Sequence, residues 1–392
     1  MFKSVLTLTL AAALGTAAFG QTTLTAVPGE AAASKYASIS QEILRAIEKG
    51  NEYLKSKQNP EGYWAQPSYP ALTALAVTAY MRDPANQGKP VPEYIRKGYD
   101  FILKSQKEDG SIFNRGMSSY NTAVCMMALL AANKEEYAPA ILKGRAYLIK
   151  QQNHFAPDNP YNGGIGYGDK QAPPIADLSN TSLALEAIYY SQKLAKDGKY
   201  GEQPDLDWNA ATEFINRCQQ NPAVNKEPWV SDDKSQLGGF VYRPGVASAK
   251  DKKSAAFDKA EPPKAYGSMT YAGMQSLIYA NVDKNDPRVK LALKWLENSY
   301  NLDENPGMGV QGLYYYYQAM SKALSAIGID SLTLEDGRKV DWRDELANKL
   351  ISIQKSDGSW VNTNNRWWEA DPVLVTAYCV LALEQLYHSI PR

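Results

Sequence analysis

Two short segments of this chain hold the residue types that acid, base and recognition chemistry needs. One is Arg366-Trp367-Trp368-Glu369-Ala370-Asp371-Pro372, with two carboxylates two positions apart behind a pair of indoles. The other is Asp177-Leu178-Ser179-Asn180-Thr181-Ser182, an acid followed by hydroxyl and amide side chains. Two carboxylates facing one cavity can divide the roles of general acid and general base, and indole faces bind sugars or isoprenoids. Asp177, Glu369 and Asp371 are therefore the candidate catalytic residues, and Asn180, Trp367 and Trp368 are candidate ligand contacts. The run Tyr314-Tyr315-Tyr316-Tyr317 supplies ring surface that also carries hydroxyls. A helix points consecutive residues in different directions, so at most two of the four face one cavity. Tyr314 and Tyr317 are the expected pair. Two of the acids also have a plain structural reading: Asp371 before Pro372 has the form of a helix cap with proline at the first helical position, and Asp177 that of a cap on the helix after it.

The elements that must position these residues are repeats. A turn of the type Gln354-Lys355-Ser356-Asp357-Gly358-Ser359-Trp360 recurs six times between helix-like segments: from Gln58 to Trp64, Gln106 to Phe113, Gln152 to Tyr167, Gln220 to Tyr242 and, worn down, Trp295 to Gly309. Asp-Gly places glycine where a positive φ is cheap, which ends one helix and reverses the chain. The aromatic residue two positions later covers the helix end.

Within each unit the first helix is amphipathic and the second is apolar nearly all round, so the first is outer and the second inner. The outer segments are 36–57, 93–106, 138–151, 208–219, 287–300 and 342–354. The inner ones are 71–82, 120–132, 181–195, 270–281, 312–327 and 373–387. Helical hairpins repeating at roughly 40–50 residues predict an all-α chain folded as an α/α toroid of six inner and six outer helices. Inner-helix N-termini share one rim of such a ring, where Asp177, Asn180, Asp371, Trp367 and Trp368 are expected to converge.

The Gln-x-x-x-Gly-x-Trp turns and the helices after them resemble the repeats of squalene and hopene cyclases and of protein prenyltransferase β subunits. The resemblance covers nearly the whole chain beyond the leader. It implies the toroid, whose apolar central cavity holds isoprenoid chains in those families. It does not carry their chemistry across. Against the cyclase motif Asp-x-Asp-Asp-Thr-Ala, Asp177 and Thr181 match, but Ser179 and Asn180 stand where acids belong. Against the zinc ligands of the prenyltransferases, Gln311, Leu313 and Val375 occupy the ligand positions, and glutamine amides and aliphatic carbons are not zinc donors. Neither a metal nor a cofactor is expected.

Lysine plus arginine equals aspartate plus glutamate, 42 of each, which removes the basic excess that a nucleic-acid groove or an anionic membrane surface requires. Lys3, the apolar run from Val5 to Ala18 and Ala18-Phe19-Gly20 have the order of a secretory leader. We read residues 1–20 as a signal peptide, 21–35 as a linker and 36–392 as a single toroid domain, and expect a secreted or periplasmic protein. No later stretch offers the roughly 20 apolar residues of a spanning helix. Cys125, Cys218 and Cys379 fall in apolar helical patterns and are expected to be buried, unpaired thiols. The segment from Ser248 to Lys264, rich in Lys, Ala and Pro, reads as a solvated excursion. The resulting expectation is an exported cyclase- and prenyltransferase-like repeat protein holding an apolar, isoprenoid-like ligand in its ring. The competing expectations are a secreted carbohydrate-active enzyme using rim carboxylates, and a non-catalytic binding or scaffold protein. The partner is an isoprenoid, lipid or glycan.

Overall fold

The computed structural model describes residues 30–168, 175–231, 233–245 and 263–390, with side chains from Tyr36 onward. The leader and most of the expected linker lie outside the described residues, as does the excursion as far as residue 262. The described residues are all-α apart from a small hairpin pairing Leu332–Thr333 with Lys339–Val340. The outer helices are α1 (Glu30–Ser56), α3 (Glu93–Lys104), α5 (Ala138–Lys150), α8 (Trp208–Arg217), α10 (Pro287–Asn298) and α12 (Trp342–Ser352). The inner ones are α2 (Pro70–Arg82), α4 (Ser118–Ala131), α6 (Leu178–Tyr190), α9 (Gly267–Tyr279), α11 (Leu313–Ile327) and α13 (Pro372–Ser389), and a short α7 (Gln192–Lys196) follows α6. Helix α1 thus begins six residues before Tyr36, inside the segment read as linker.

Burial separates the layers as the apolar patterns require. In α3 only Ile95, Gly98, Tyr99 and Ile102, one helical face, are buried, while every residue of α9 is. Inner helices pack in the order α2, α4, α6, α9, α11, α13, and α13 returns to α2 to close the ring. No described helix is long and apolar enough to cross a membrane. Cys125, Cys218 and Cys379 are free and buried.

The repeated turns lock each unit to the next. Gln58 Nε2 donates to the Gly62 carbonyl of its own turn and to the Tyr94 carbonyl of the next outer helix. Gln106 does the same to Gly110 and Ala140, Gln152 to Gly163 and Asp207, and Gln219 to Gly238 and Arg288. Gln354 donates to Gly358 and then, across the chain, to Ala46 of α1, sealing the ring. The glycines of these five turns have positive φ, and a Cβ on any of them would come within 3.0 Å of a backbone oxygen of the following outer helix. Their conservation of type within the chain is therefore steric as well as conformational.

A threonine of the inner helix completes each joint. Thr73, Thr122, Thr181, Thr270 and Thr376 hydroxyls accept the backbone N–H of Trp64, Ile112, Ile165, Phe240 and Trp360. Trp64 and Trp360 Nε1 donate to the Leu54 and Leu350 carbonyls, covering the outer-helix ends. The fourth turn is anchored by Gln219, not Gln220; the Gln220 amide instead ties the turn to Pro263 and Ser231. The inner segment read as 181–195 breaks after Tyr190 because the buried Arg145 guanidinium donates to the Ile188 carbonyl and to Ser191 Oγ, removing an acceptor from the helical ladder.

Candidate functional site

Helix N-termini gather at one mouth of the ring, and each leaves backbone amides that need acceptors. Helices α6 and α13 carry their own: Asp177 Oδ1 accepts from Asn180 N at 2.8 Å and Asp371 Oδ1 from Val373 N at 2.8 Å. Helices α2, α9 and α11 have no side-chain cap of their own and borrow one. Asn121 Oδ1 accepts from Ala71 N, Asn305 Oδ1 from Ser268 N, and Glu369 Oε1 from Tyr315 N at 2.9 Å. Glu369 is 1% exposed, its other oxygen accepts from Asn362 Nδ2 at 2.7 Å, and the Tyr314 and Leu313 amides also hold it. Burial raises its pKa and these donors oppose the rise. Glu369, a candidate acid by sequence, has its lone pairs committed to capping α11. Asp371 caps α13, retains partial exposure and borders a surface cleft instead of the axis.

The position two residues before the repeated threonine is occupied by Ala71, Tyr120, Ser179, Ser268, Tyr315 and Leu374, of which Tyr120, Ser179 and Tyr315 retain partial exposure. This register explains the tyrosine run. Tyr317 stands where the other units have threonine, is fully buried, and donates to the Leu302 carbonyl at 2.5 Å. Tyr314 packs edge-on to Tyr317 and donates to the Val361 carbonyl. Neither faces the mouth, which corrects the expected pair; Tyr315 does. Its hydroxyl interacts with Ser179 of α6, and its ring lies 5.9 Å from Tyr378 of α13. Tyr378 in turn interacts with Tyr120 of α4. Hydroxyl side chains from α4, α6, α11 and α13 thus approach one another across the interior of the ring. Seven residues further along α11, Lys322 Nζ meets Glu186 Oε2 of α6 at 2.5 Å, an ion pair.

Asp177 lies beside this hydroxyl layer, 3% exposed. Its Oδ2 accepts from Asn180 Nδ2 at 2.8 Å, and the Tyr242 hydroxyl also reaches the carboxylate. Burial pushes its pKa up to about 6, against the pull of Asn180, Tyr242 and nearby Arg243. Tyr242 and Tyr167 hydroxyls are 3.2 Å apart. One buried polar atom here is unsatisfied. Asn180, 2% exposed, has its amide nitrogen fixed on Asp177, which leaves Oδ1 with no hydrogen-bond partner among the described residues. Tyr266, 8% exposed, sits within electrostatic range of Asp177, Tyr167 and Tyr315, and among the described residues its hydroxyl makes no hydrogen bond. Around them Tyr120, Tyr167, Ser179, Tyr242 and Tyr315 all retain partial exposure. The mouth therefore holds one buried, unpartnered acceptor close to a group of partly exposed tyrosine and serine side chains.

The indoles lie on the outer lip. Trp367 has the Arg366 guanidinium 5.1 Å from its ring centroid, and Gly312 lies so close that a Cβ there would meet the ring at 2.9 Å. Trp368 packs on Tyr69 with ring centroids 4.6 Å apart and keeps 42% exposure. Sequence reasoning found Asp177, Asn180 and both indoles, and missed Tyr266, Tyr242, Tyr167, Tyr120, Tyr315 and Tyr378. The threonine register would have picked out Tyr120 and Tyr315. Tyr167 and Tyr242 were in view only as turn-covering rings.

No protein-family model matches the chain. Solved structures do. Type II terpene cyclase MstE from Scytonema aligns with a TM-score of 0.52 at 11% identity over 89% of this chain and 99% of that one. Candida albicans protein geranylgeranyltransferase-I, complexed with GGPP, aligns at 0.54 and 14% identity over 87% and 91%. An inactive variant of the alpha-1,6-mannanase GH76A of Salegentibacter sp. HEL1_6, in complex with alpha-1,6-mannotriose, aligns at 0.54 and 10% identity over 88% and 99%. At these identities the likeness is one of fold, and the chain has the α/α toroid fold that terpene cyclases, prenyltransferases and a mannanase share.

Proposed function

We propose that this toroid is an exported binding protein for a polyhydroxylated, glycan-type ligand, taken at the mouth between Asp177, Asn180, Tyr242, Tyr266 and Tyr315. The observation that carries the reading is the buried, unpartnered Asn180 Oδ1, whose amide nitrogen is held by the same Asp177 carboxylate that Tyr242 approaches. Leaving a buried polar atom unmet costs on the order of 1–3 kcal/mol, and a sugar hydroxyl, at once donor and acceptor, answers both Asn180 Oδ1 and the Tyr266 hydroxyl. The mannanase neighbour's bound mannotriose lends the same fold a glycan precedent. Recognition fits better than hydrolysis: glycoside cleavage uses a pair of carboxyl groups, and two of the three candidates, Glu369 and Asp371, act as helix caps. Export rests on the leader pattern, and N-terminal sequencing of the mature protein should begin at Gln21.

Calorimetric titration with methyl glycosides of neutral, amino and uronic sugars tests the proposal. Binding is expected, and Tyr266→Phe should weaken it about tenfold, the worth of roughly one hydrogen bond, with no change in melting temperature. A second reading, an apolar isoprenoid-like ligand deeper in the ring, draws on Met127 and Leu183, which stay partly exposed on inner helices. Saturable binding of a geranylgeranyl lipid with no response to any sugar would replace the first reading by the second.

A further inference from the structure

We infer that the ligand is an oligosaccharide and that a cleft on the lip, beneath Trp368, is its second subsite. This rests on the glycan reading above, but the observations are separate from those at the axis. The cleft measures about 200 Å³ and is lined by Gln66, Leu72, Asn365, Trp368, Asp371 and Leu374. That is smaller than the roughly 300–1,000 Å³ of pockets that enclose a drug-sized ligand, and suits a single ring of a longer chain.

Its chemistry is that of a pyranose site. Trp368 rests on Tyr69 and leaves 42% of its surface open, an apolar face for the C–H side of a sugar. The Gln66 and Asn365 side-chain amides make no hydrogen bond among the described residues, and Asp371 offers a second carboxylate oxygen beyond the one that caps α13. Two amides and a carboxylate oxygen beside an aromatic face are donors and acceptors set for hydroxyls.

The backbone supports a purpose for this exposure. Trp367 and Trp368 have φ of 53° and 64°, a left-handed region that costs bulky residues roughly 1–2 kcal/mol each. Such strain persists where the surroundings over-determine it and gathers at ligand clamps. Here Arg366 and Gly312 both pack on the first indole, and Trp368 rests on Tyr69 where it lines the cleft. Arg366, which stacks on Trp367 next to the cleft, lies within electrostatic range of Tyr266 at the axis, and on this reading the sugar chain runs along the lip between them.

The experiment compares methyl glycosides with linear di- to hexasaccharides of the same sugars, titrated into the full-length protein and into Trp368→Ala and Gln66→Ala. Wild type should gain at least tenfold in affinity from one unit to two or three. Trp368→Ala should remove most of that gain and Gln66→Ala part of it, while both leave the glycoside's affinity unchanged; Gln66 is exposed, so its variant separates binding from folding. Equal affinity for one unit and several, or parallel loss of both in Trp368→Ala, would overturn the second subsite and leave the axial site standing. Absence of binding by every sugar would overturn both.

Discussion

The turns and the mouth are built on the same repeat and use it in opposite ways. At the turns, glutamine, glycine and threonine meet the same partners in five units, so their polar atoms are paired and their geometry is redundant. At the equivalent register near the mouth the units carry Ala71, Tyr120, Ser179, Ser268, Tyr315 and Leu374, so the residue type varies from unit to unit, and the buried Asn180 Oδ1 stays unpaired. The contrast teaches that periodicity marks what holds the ring together, while its loss marks where a ligand is read. The worn turn ending at Gly309 lies between: it lacks the glutamine, and Asn305 replaces it by bonding Gly309 through the backbone and capping α9.

The contrast breaks first at glycine. Gly163→Ala forces a Cβ against the Ala210 carbonyl of α8 at positive φ and should destabilise by about 3 kcal/mol or more. Gly309→Ala, also at positive φ but with nothing within 4 Å, should cost only about 1 kcal/mol. Urea denaturation of both reads the difference, and equal losses would remove the steric role of the joint glycines. Next, Glu369→Ala orphans the amides of α11 in a buried place and should cost about 2–3 kcal/mol, far more than an exposed carboxylate would.

The pH dependence is the third test. Asp177 has its pKa raised from 3.8 to about 6, so the folded chain binds a proton that the unfolded chain releases. Its contribution is greatest below pH 4 and is lost as pH rises to about 6, by at most about 3 kcal/mol. Asp177→Asn keeps the capping acceptor and should flatten that slope in urea titrations between pH 4 and 7.

Smaller still is the gain expected at Glu384. This fully buried residue of α13 has neither oxygen hydrogen-bonded among the described residues, and its pKa is raised well above the usual range by burial. Glu384→Leu should stabilise by about 1 kcal/mol, and a loss of stability would point to an unseen partner for this acid. The smallest effect on stability belongs to the mouth: Tyr266→Phe should shift the unfolding free energy by less than about 0.5 kcal/mol while ligand affinity falls.

Much of the scaffold was legible. The twelve helices lie where the apolar periods put them, because an amphipathic stripe or an all-apolar surface is a local property of about a dozen residues. Asp-Gly turns were legible for the same reason. The site was half legible. Asp177 and Asp371 were recognisable as caps, since an N-cap acts within three residues of itself. Glu369 was not, because the amides it meets belong to Tyr315, 54 positions away.

Sequence by itself therefore determined the number and type of units, the outer and inner roles of their helices, and the loss of the cyclase and zinc-ligand residues at Ser179, Asn180, Gln311, Leu313 and Val375. Only the tertiary structure decided which polar groups became joints, which became caps and which stayed open. Asn121 reaches Ala71 across 50 residues and Gln354 reaches Ala46 across 308. Hydrogen-bond partners at such separations are chosen by ring closure, which brings every unit's N-terminus to one mouth, and no local pattern along the chain records that meeting.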